Sequence, residues 1–117
     1  MKKIYETTHN TVVYAVDEPS ENCNANHEFL ILEEGNQKRT LQHIKMQNGA
    51  ILPNGLNGIF MEHLIAICIN MLNGFQTSKY KCRENAIAIT KLEEALLWLN
   101  KRTNERIARG VEGTETV

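Results

Sequence analysis

The sequence predicts an α+β chain: a small antiparallel β region over residues 1–50, then a long antiparallel helical hairpin over residues 51–117 that assembles with copies of itself. Three observations carry this. Short β-branched and aromatic runs in the first half are separated by turn residues, too closely for helical crossovers. The hydrophobic period changes to a helical one just after Pro53. The last helical segment is also longer than a chain of 117 residues needs to close one core.

The first strand read from the pattern is Thr11-Val12-Val13-Tyr14-Ala15-Val16, stopped by Asp17-Glu18-Pro19-Ser20. Residues 20–26, which are polar and rich in Asn, form a loop. Phe29-Leu30-Ile31-Leu32 is the second strand, closed by a turn at Glu34-Gly35-Asn36. Residues 39–46 mix polar and apolar positions as a strand with one wet face does, and Asn48-Gly49 offers a turn with positive backbone angles.

Asn57 is a suitable cap for a first helix over about residues 59–73, ended by Asn73-Gly74. Its apolar residues cover nearly the whole circumference, which calls for burial on more than one side. The second helix covers about residues 81–109, with Gly110 placed to end it. Ile89, Leu92, Leu96 and Leu99 form its seam, and Ala88, Ala95 and Trp98 a second strip beside it. Such a helix spans on the order of 43 Å, about twice the reach of the first, and the remaining apolar surface calls for another copy of the chain. The tail after Gly110 reads as frayed. No internal repeat or low-complexity segment is present.

Bulk properties exclude several classes of function. A formal net charge of -1 argues against coating nucleic acid, which needs an excess of Lys and Arg. Cys23, Cys68 and Cys82 are odd in number and make no Cys-x-x-Cys, against a disulfide framework or a structural zinc site. With no signal-type apolar core and no run of 18 apolar residues, the chain reads as a protein of a reducing cytoplasm, away from the membrane.

A search for chemistry returns no catalytic set. The histidines, His9, His27, His43 and His63, are scattered without metal-ligand spacing. There is no nucleophile elbow, and no cysteine stands in a recognisable Cys/His arrangement. Adjacent Glu93 and Glu94 diverge by about 100° on a helix and make no acid/base pair. The loop holding Gly49, Gly55 and Gly58 reads first as a tight turn and second as a cradle of N–H groups for an anion. Lys101, Arg102, Arg106 and Arg109 complement the C-terminal end of a helix dipole, with Glu105 and Arg109 paired at i,i+4. Gathered by an oligomer axis, such side chains would instead form a phosphate-binding ring. Phe75, Tyr80 and Asn85 lie around the bend between the helices. They suit a nucleotide, with rings for stacking and an amide for a base edge, and they suit hinge packing equally well.

Leu72-Asn73-Gly74-Phe75-Gln76, the stretch Cys82-Arg83-Glu84-Asn85 through Thr90-Lys91-Leu92-Glu93-Glu94-Ala95 to Leu99, and the ending Arg102-Thr103, Arg106, Arg109-Gly110-Val111-Glu112-Gly113-Thr114 together resemble the anti-Thoeris sponge family of phages. Gln47-Asn48-Gly49 and Leu56-Asn57-Gly58 extend the likeness to about residues 47–114, whereas the Thr-Lys-Leu-Glu-Glu-Ala core also resembles the related anti-CBASS sponge.

The resemblance implies a phage protein of the host cytoplasm, without cofactor, whose dimers assemble into larger oligomers such as hexamers. It implies binding, without cleavage, of glycocyclic ADP-ribose made by TIR-domain proteins. Phe75 and Asn85 match the aromatic and the asparagine of the family's pocket. Tyr80 would add a second stacking surface and Arg83 a phosphate contact. Some relatives bind cyclic oligonucleotides at a second, arginine-lined site, for which Arg109 is the match and Arg106 its neighbour. Asn57 is not the further basic residue such a site calls for. The competing expectation is an oligomeric module that binds protein or nucleic acid through basic helix ends, and a third is an enzyme that cleaves nucleotides.

Overall fold

A computed structural model describes residues 1–35 and 39–117. Four strands, β1 (Lys2–Glu6), β2 (Thr11–Ala15), β3 (Glu28–Glu33) and β4 (Arg39–Lys45), precede a helical turn α1 (Ile51–Asn54) and the helices α2 (Met61–Gln76) and α3 (Arg83–Ala108). The chain divides into two units, a sheet unit (1–49 and 54–59) and a helical unit (50–53 and 60–117).

The sheet is an antiparallel meander in the order β1-β2-β3-β4. Its inner pair runs in continuous register from Thr11↔Glu33 to Ala15↔Phe29, and Val12 and Ala15 of β2 are buried. Both outer strands carry a bulge. The register shifts between Lys3 and Tyr5 leave Ile4 as the extra residue of β1, and shifts between Ile31 and Leu32 leave Leu41 as that of β4. Ile4 and Leu41 are both exposed, as are the rest of β1 and all of β4 but Ile44. The sequence pattern did not announce β1, because Lys2, Lys3 and Glu6 give it the charged composition of a sheet edge. The expected turn at Glu34-Gly35-Asn36 lies partly outside the described residues, at Asn36.

Gly58 packs its backbone against Met46, where a Cβ would stand 2.4 Å from the Met46 carbonyl carbon. That close approach lets Ile59 pair with the end of the sheet: Gln47 N–H donates to Ile59 O at 2.8 Å, and Ile59 N–H to Lys45 O at 2.9 Å. Asn57 does not cap a helix. Its amide closes the loop instead, accepting from Asn48 N–H and donating to Asn48 O, both at 2.8 Å, while Gln47 Oε1 accepts Asn57 N–H at 2.9 Å. Those N–H groups are thereby satisfied within the loop, which favours the tight turn over the anion cradle.

In the helical unit, α2 begins at Phe60, which is extended, and His63 Nδ1 accepts Phe60 N–H at 3.0 Å. A histidine here plays the part that Glu or Gln plays at the third position of a capping box. The helix runs past Asn73-Gly74, the expected stop, because Gly74 keeps helical geometry and two hydroxyls take up the last carbonyls. Thr77 Oγ1 donates to Gly74 O at 2.9 Å and Ser78 Oγ to Phe75 O at 2.7 Å. Gly110, at φ 72°, ends α3 as the sequence predicts.

The two helices pack as a hairpin. Ile89, Leu92, Leu96 and Leu99 are half-buried along α3, and the same spacing continues through Thr103 to Arg106, the buried residue of that helix. Asn85 heads this seam and Arg106 ends it. Elsewhere the helices are bare: Met61, Ile67 and Met71 of α2, and Ile87, Leu97, Trp98 and Ile107 of α3, are exposed. The 26 residues of α3 span about 39 Å and the 16 of α2 only about 24 Å. The chain exposes 8889 Å². Two separate compact bodies of half its mass would expose about 7,800 Å² together, so the surplus is intrinsic to the units.

Candidate functional site

Residues 77–82 link α2 to α3, and the groups predicted at the bend lie in this connector and in the helix turns on either side of it. Phe75 lies in the last turn of α2 and is 42% exposed, and Tyr80 in the connector is 65% exposed. Rings so open are dispensable to the interior of a single chain, which weakens the hinge-packing account of them. Asn85, in the first turn of α3, donates from Nδ2 to Tyr80 O at 3.4 Å, tying the seam to the connector. Tyr80 N–H in turn donates to Ser78 Oγ at 3.1 Å, and Lys79 Nζ lies 5.2 Å from the Tyr80 ring centre.

The bend is also cationic, which the sequence reading noted only for Arg83. Lys79, Lys81 and Arg83 alternate along it and all are exposed, with Glu84 next in line. Arg83 has no ion-pair or hydrogen-bond partner among the described residues. The N-terminus of α3 adds the positive end of a dipole. Phe75, Tyr80, Arg83 and Asn85 thus come to one end of the hairpin, with an apolar surface, an amide and positive charge together.

The other predicted pair separates. Arg106 is 9% exposed and turns into the tail: Nε donates to Glu112 Oε2 at 3.1 Å, Nη1 to Thr116 O at 2.7 Å, and Nη2 to Val111 O at 3.0 Å and Thr114 O at 3.1 Å. Four of its five N–H donors are thus turned to the chain itself, whereas a phosphate contact would need them turned outward. These bonds correct the expectation of a frayed tail, since Leu52 N–H further donates to Gly113 O at 2.8 Å. Arg109 stays more open, 3.8 Å from Glu105 and donating to Val117 O at 3.1 Å.

In the sheet unit the structure assembles a cluster that the sequence reading missed. Cys23 Sγ lies 3.0 Å from Ser20 Oγ and 3.9 Å from His27 Nε2. The Ser20 hydroxyl, then the Ala25 N–H, hold this thiol below the ordinary range. The clue was the i,i+4 spacing of Cys23 and His27 in a loop too polar to be a helix. Among the described residues no acid orients the imidazole: His27 Nδ1 is buried without a partner there, and the Asp17 carboxylate accepts the backbone N–H groups of His27 at 2.9 Å and Glu28 at 3.2 Å instead. Burial pushes Asp17 upward, but those donors outweigh it and its net shift is downward. A cavity of about 280 Å³ in the same unit is lined by Met1, Lys2, Asp17 and Glu18 among others, and includes none of the predicted site residues. Among the described residues no cluster of His, Cys, Asp and Glu has the makings of a metal site, and no helix is long and apolar enough to cross a membrane.

Comparison with known proteins agrees with the hairpin. Residues 38–104 match the profile of the Acb2/Tad1 hairpin domain. The chain is 42% identical to the protein Thoeris anti-defense 1 of Bacillus phage SBSphiJ7, over 92% of this chain and 91% of that relative. A match of that extent takes in the sheet as well as both helices, and by it the chain belongs to the anti-Thoeris family of phage anti-defence proteins.

Proposed function

We propose that this protein is a sponge: it binds glycocyclic ADP-ribose, the cyclic ADP-ribose-type signal of TIR-domain proteins, and holds it in the host cytoplasm without cleaving it. The observation that carries the reading is the placement of Phe75, Tyr80, Arg83 and Asn85 at one end of the hairpin, with both rings exposed. A cyclic diphosphate is rigid, so capture costs little ligand entropy and few contacts suffice. The rings offer stacking, the Asn85 amide a base-edge contact, and Arg83 with the dipole of α3 a seat for the diphosphate. Self-association into dimers and then a hexamer supplies the rest of the enclosure. The bare apolar residues of α2 and α3, and the surplus surface of the chain, support that part of the reading. Arg109 remains the candidate for a second site that takes cyclic oligonucleotides.

Native mass spectrometry with and without glycocyclic ADP-ribose reports subunit number and captured mass together. The expected result is an oligomer carrying ligand that returns chemically intact after denaturation; a hydrolysed ligand points to an enzyme. Phe75→Ala removes a stacking face and should weaken binding about tenfold or more while leaving the oligomer intact. A protein that ignores the ligand but shifts duplex DNA, with steep loss at higher salt, is the interaction module instead.

A further inference from the structure

Gln76, the last residue of α2, sits where helix and connector meet. Its side chain forms a two-point clamp on one residue six positions on: Oε1 accepts the Cys82 N–H at 3.0 Å and Nε2 donates to the Cys82 carbonyl at 3.0 Å. An amide so placed satisfies both backbone groups of Cys82, as a neighbouring strand would. Cys82 is the cap residue of α3 and offers no side-chain hydrogen bond of its own there. The clamp therefore joins the last residue of α2 to the residue from which α3 starts. It closes a ring of backbone that contains Tyr80 and is flanked by Phe75 and Asn85.

We propose that Gln76 is a positioning residue for the ligand: its clamp on Cys82 holds the connector in the shape that receives the cyclic nucleotide. This rests on the sponge reading of the bend. Among the described residues none of the other connector bonds spans it. Thr77 and Ser78 reach back only three residues, and Asn85 reaches Tyr80 without touching α2. Without the clamp the connector samples open forms, and only the closed fraction accepts ligand. Apparent affinity falls by that fraction, as does the rate of association, whereas dissociation from the closed complex changes little.

The test compares wild-type protein with Gln76→Met, which keeps length and apolar bulk but loses both hydrogen bonds, and with Gln76→Glu, which keeps an acceptor for the Cys82 N–H. Amide hydrogen exchange reads the connector, and stopped-flow or surface kinetics with purified glycocyclic ADP-ribose reads binding. In Gln76→Met the Cys82 amide should lose protection, association should slow about tenfold and dissociation should stay within about twofold, at unchanged subunit number. Gln76→Glu should fall between the two. Protection of Cys82 that survives in Gln76→Met overturns the clamp, and lost protection with unchanged association overturns its part in binding. Wild-type protein that does not bind at all overturns the sponge reading, while the exchange arm still reports on the clamp.

Discussion

Replacing Arg106 by alanine should release the C-terminal tail. The guanidinium makes four hydrogen bonds, one to the Glu112 carboxylate and three to the carbonyls of Val111, Thr114 and Thr116. Hydrogen bonds from a charged donor contribute about 1.5–3 kcal/mol each, or roughly 6–12 kcal/mol for the set. Ordering the backbone of residues 111–117 costs about 1–2 kcal/mol per residue, roughly 7–14 kcal/mol in all. The two sums nearly cancel, so the tail stays ordered only while its guanidinium is present. The loss should be largely local, with a cost in urea unfolding of about 2 kcal/mol. Amide exchange is the direct assay, and Leu52 is the sharpest reporter because its N–H donates to Gly113 O. In Arg106→Ala, both Leu52 and the tail amides should lose protection. Arg106→Lys should be intermediate, since an ammonium has three donors and no planar fork to span four acceptors. Deleting the tail and removing the arginine should also be strongly non-additive, because each change abolishes the same contacts. Tail amides that stay protected in Arg106→Ala, or additive losses, would refute the strap.

Three further outcomes follow from local geometry. Gly58→Ala places a Cβ against the Met46 backbone and should destabilise the sheet unit by about 2–3 kcal/mol in chemical unfolding. His63→Ala removes the acceptor for the Phe60 N–H and should cost about 1 kcal/mol, visible as faster exchange in the first turn of α2. Cys23 should react with iodoacetamide faster than Cys68 or Cys82 at neutral pH, since its lowered titration point leaves more thiolate there. Ser20→Ala should shift that titration upward and slow the reaction several-fold near pH 7.5, an effect that vanishes above about pH 10 where every thiol is ionised.

Much of this architecture could be read from local pattern, and the failures have identifiable physical causes. The inner strands announced themselves because Val12, Val13, Phe29 and Ile31 are bulky, β-branched or aromatic and stand between turn residues. The α3 seam and its stop at Gly110 followed from period and from a glycine at a left-handed position. Asn57 misled because its partner, Asn48, lies nine residues away and no local rule pairs them. Asn73-Gly74 misled because the hydroxyls of Thr77 and Ser78 supply what a left-handed glycine otherwise would. The burial of Arg106 was hidden by its charge, although extending the seam from Leu99 by four and then three residues lands on it. At the bend, Phe75, Tyr80 and Asn85 were legible as residue types, whereas the Gln76 clamp depends on a fold that brings residue 82 back to residue 76.

The two bulges bear on the route by which the proposed oligomer would form. They sit on β1 and β4, the margins of the meander, and leave the inner ladder undisturbed. A margin with one residue too many twists away from a flat approach and presents its hydrogen-bonding groups out of step. Accretion of sheet upon sheet is thereby discouraged on both sides. The oligomer we propose would then form through the bare helices, whose contacts are set by side-chain shape, a geometry able to close into a particle of finite size, whereas stacked strands grow without limit into fibres.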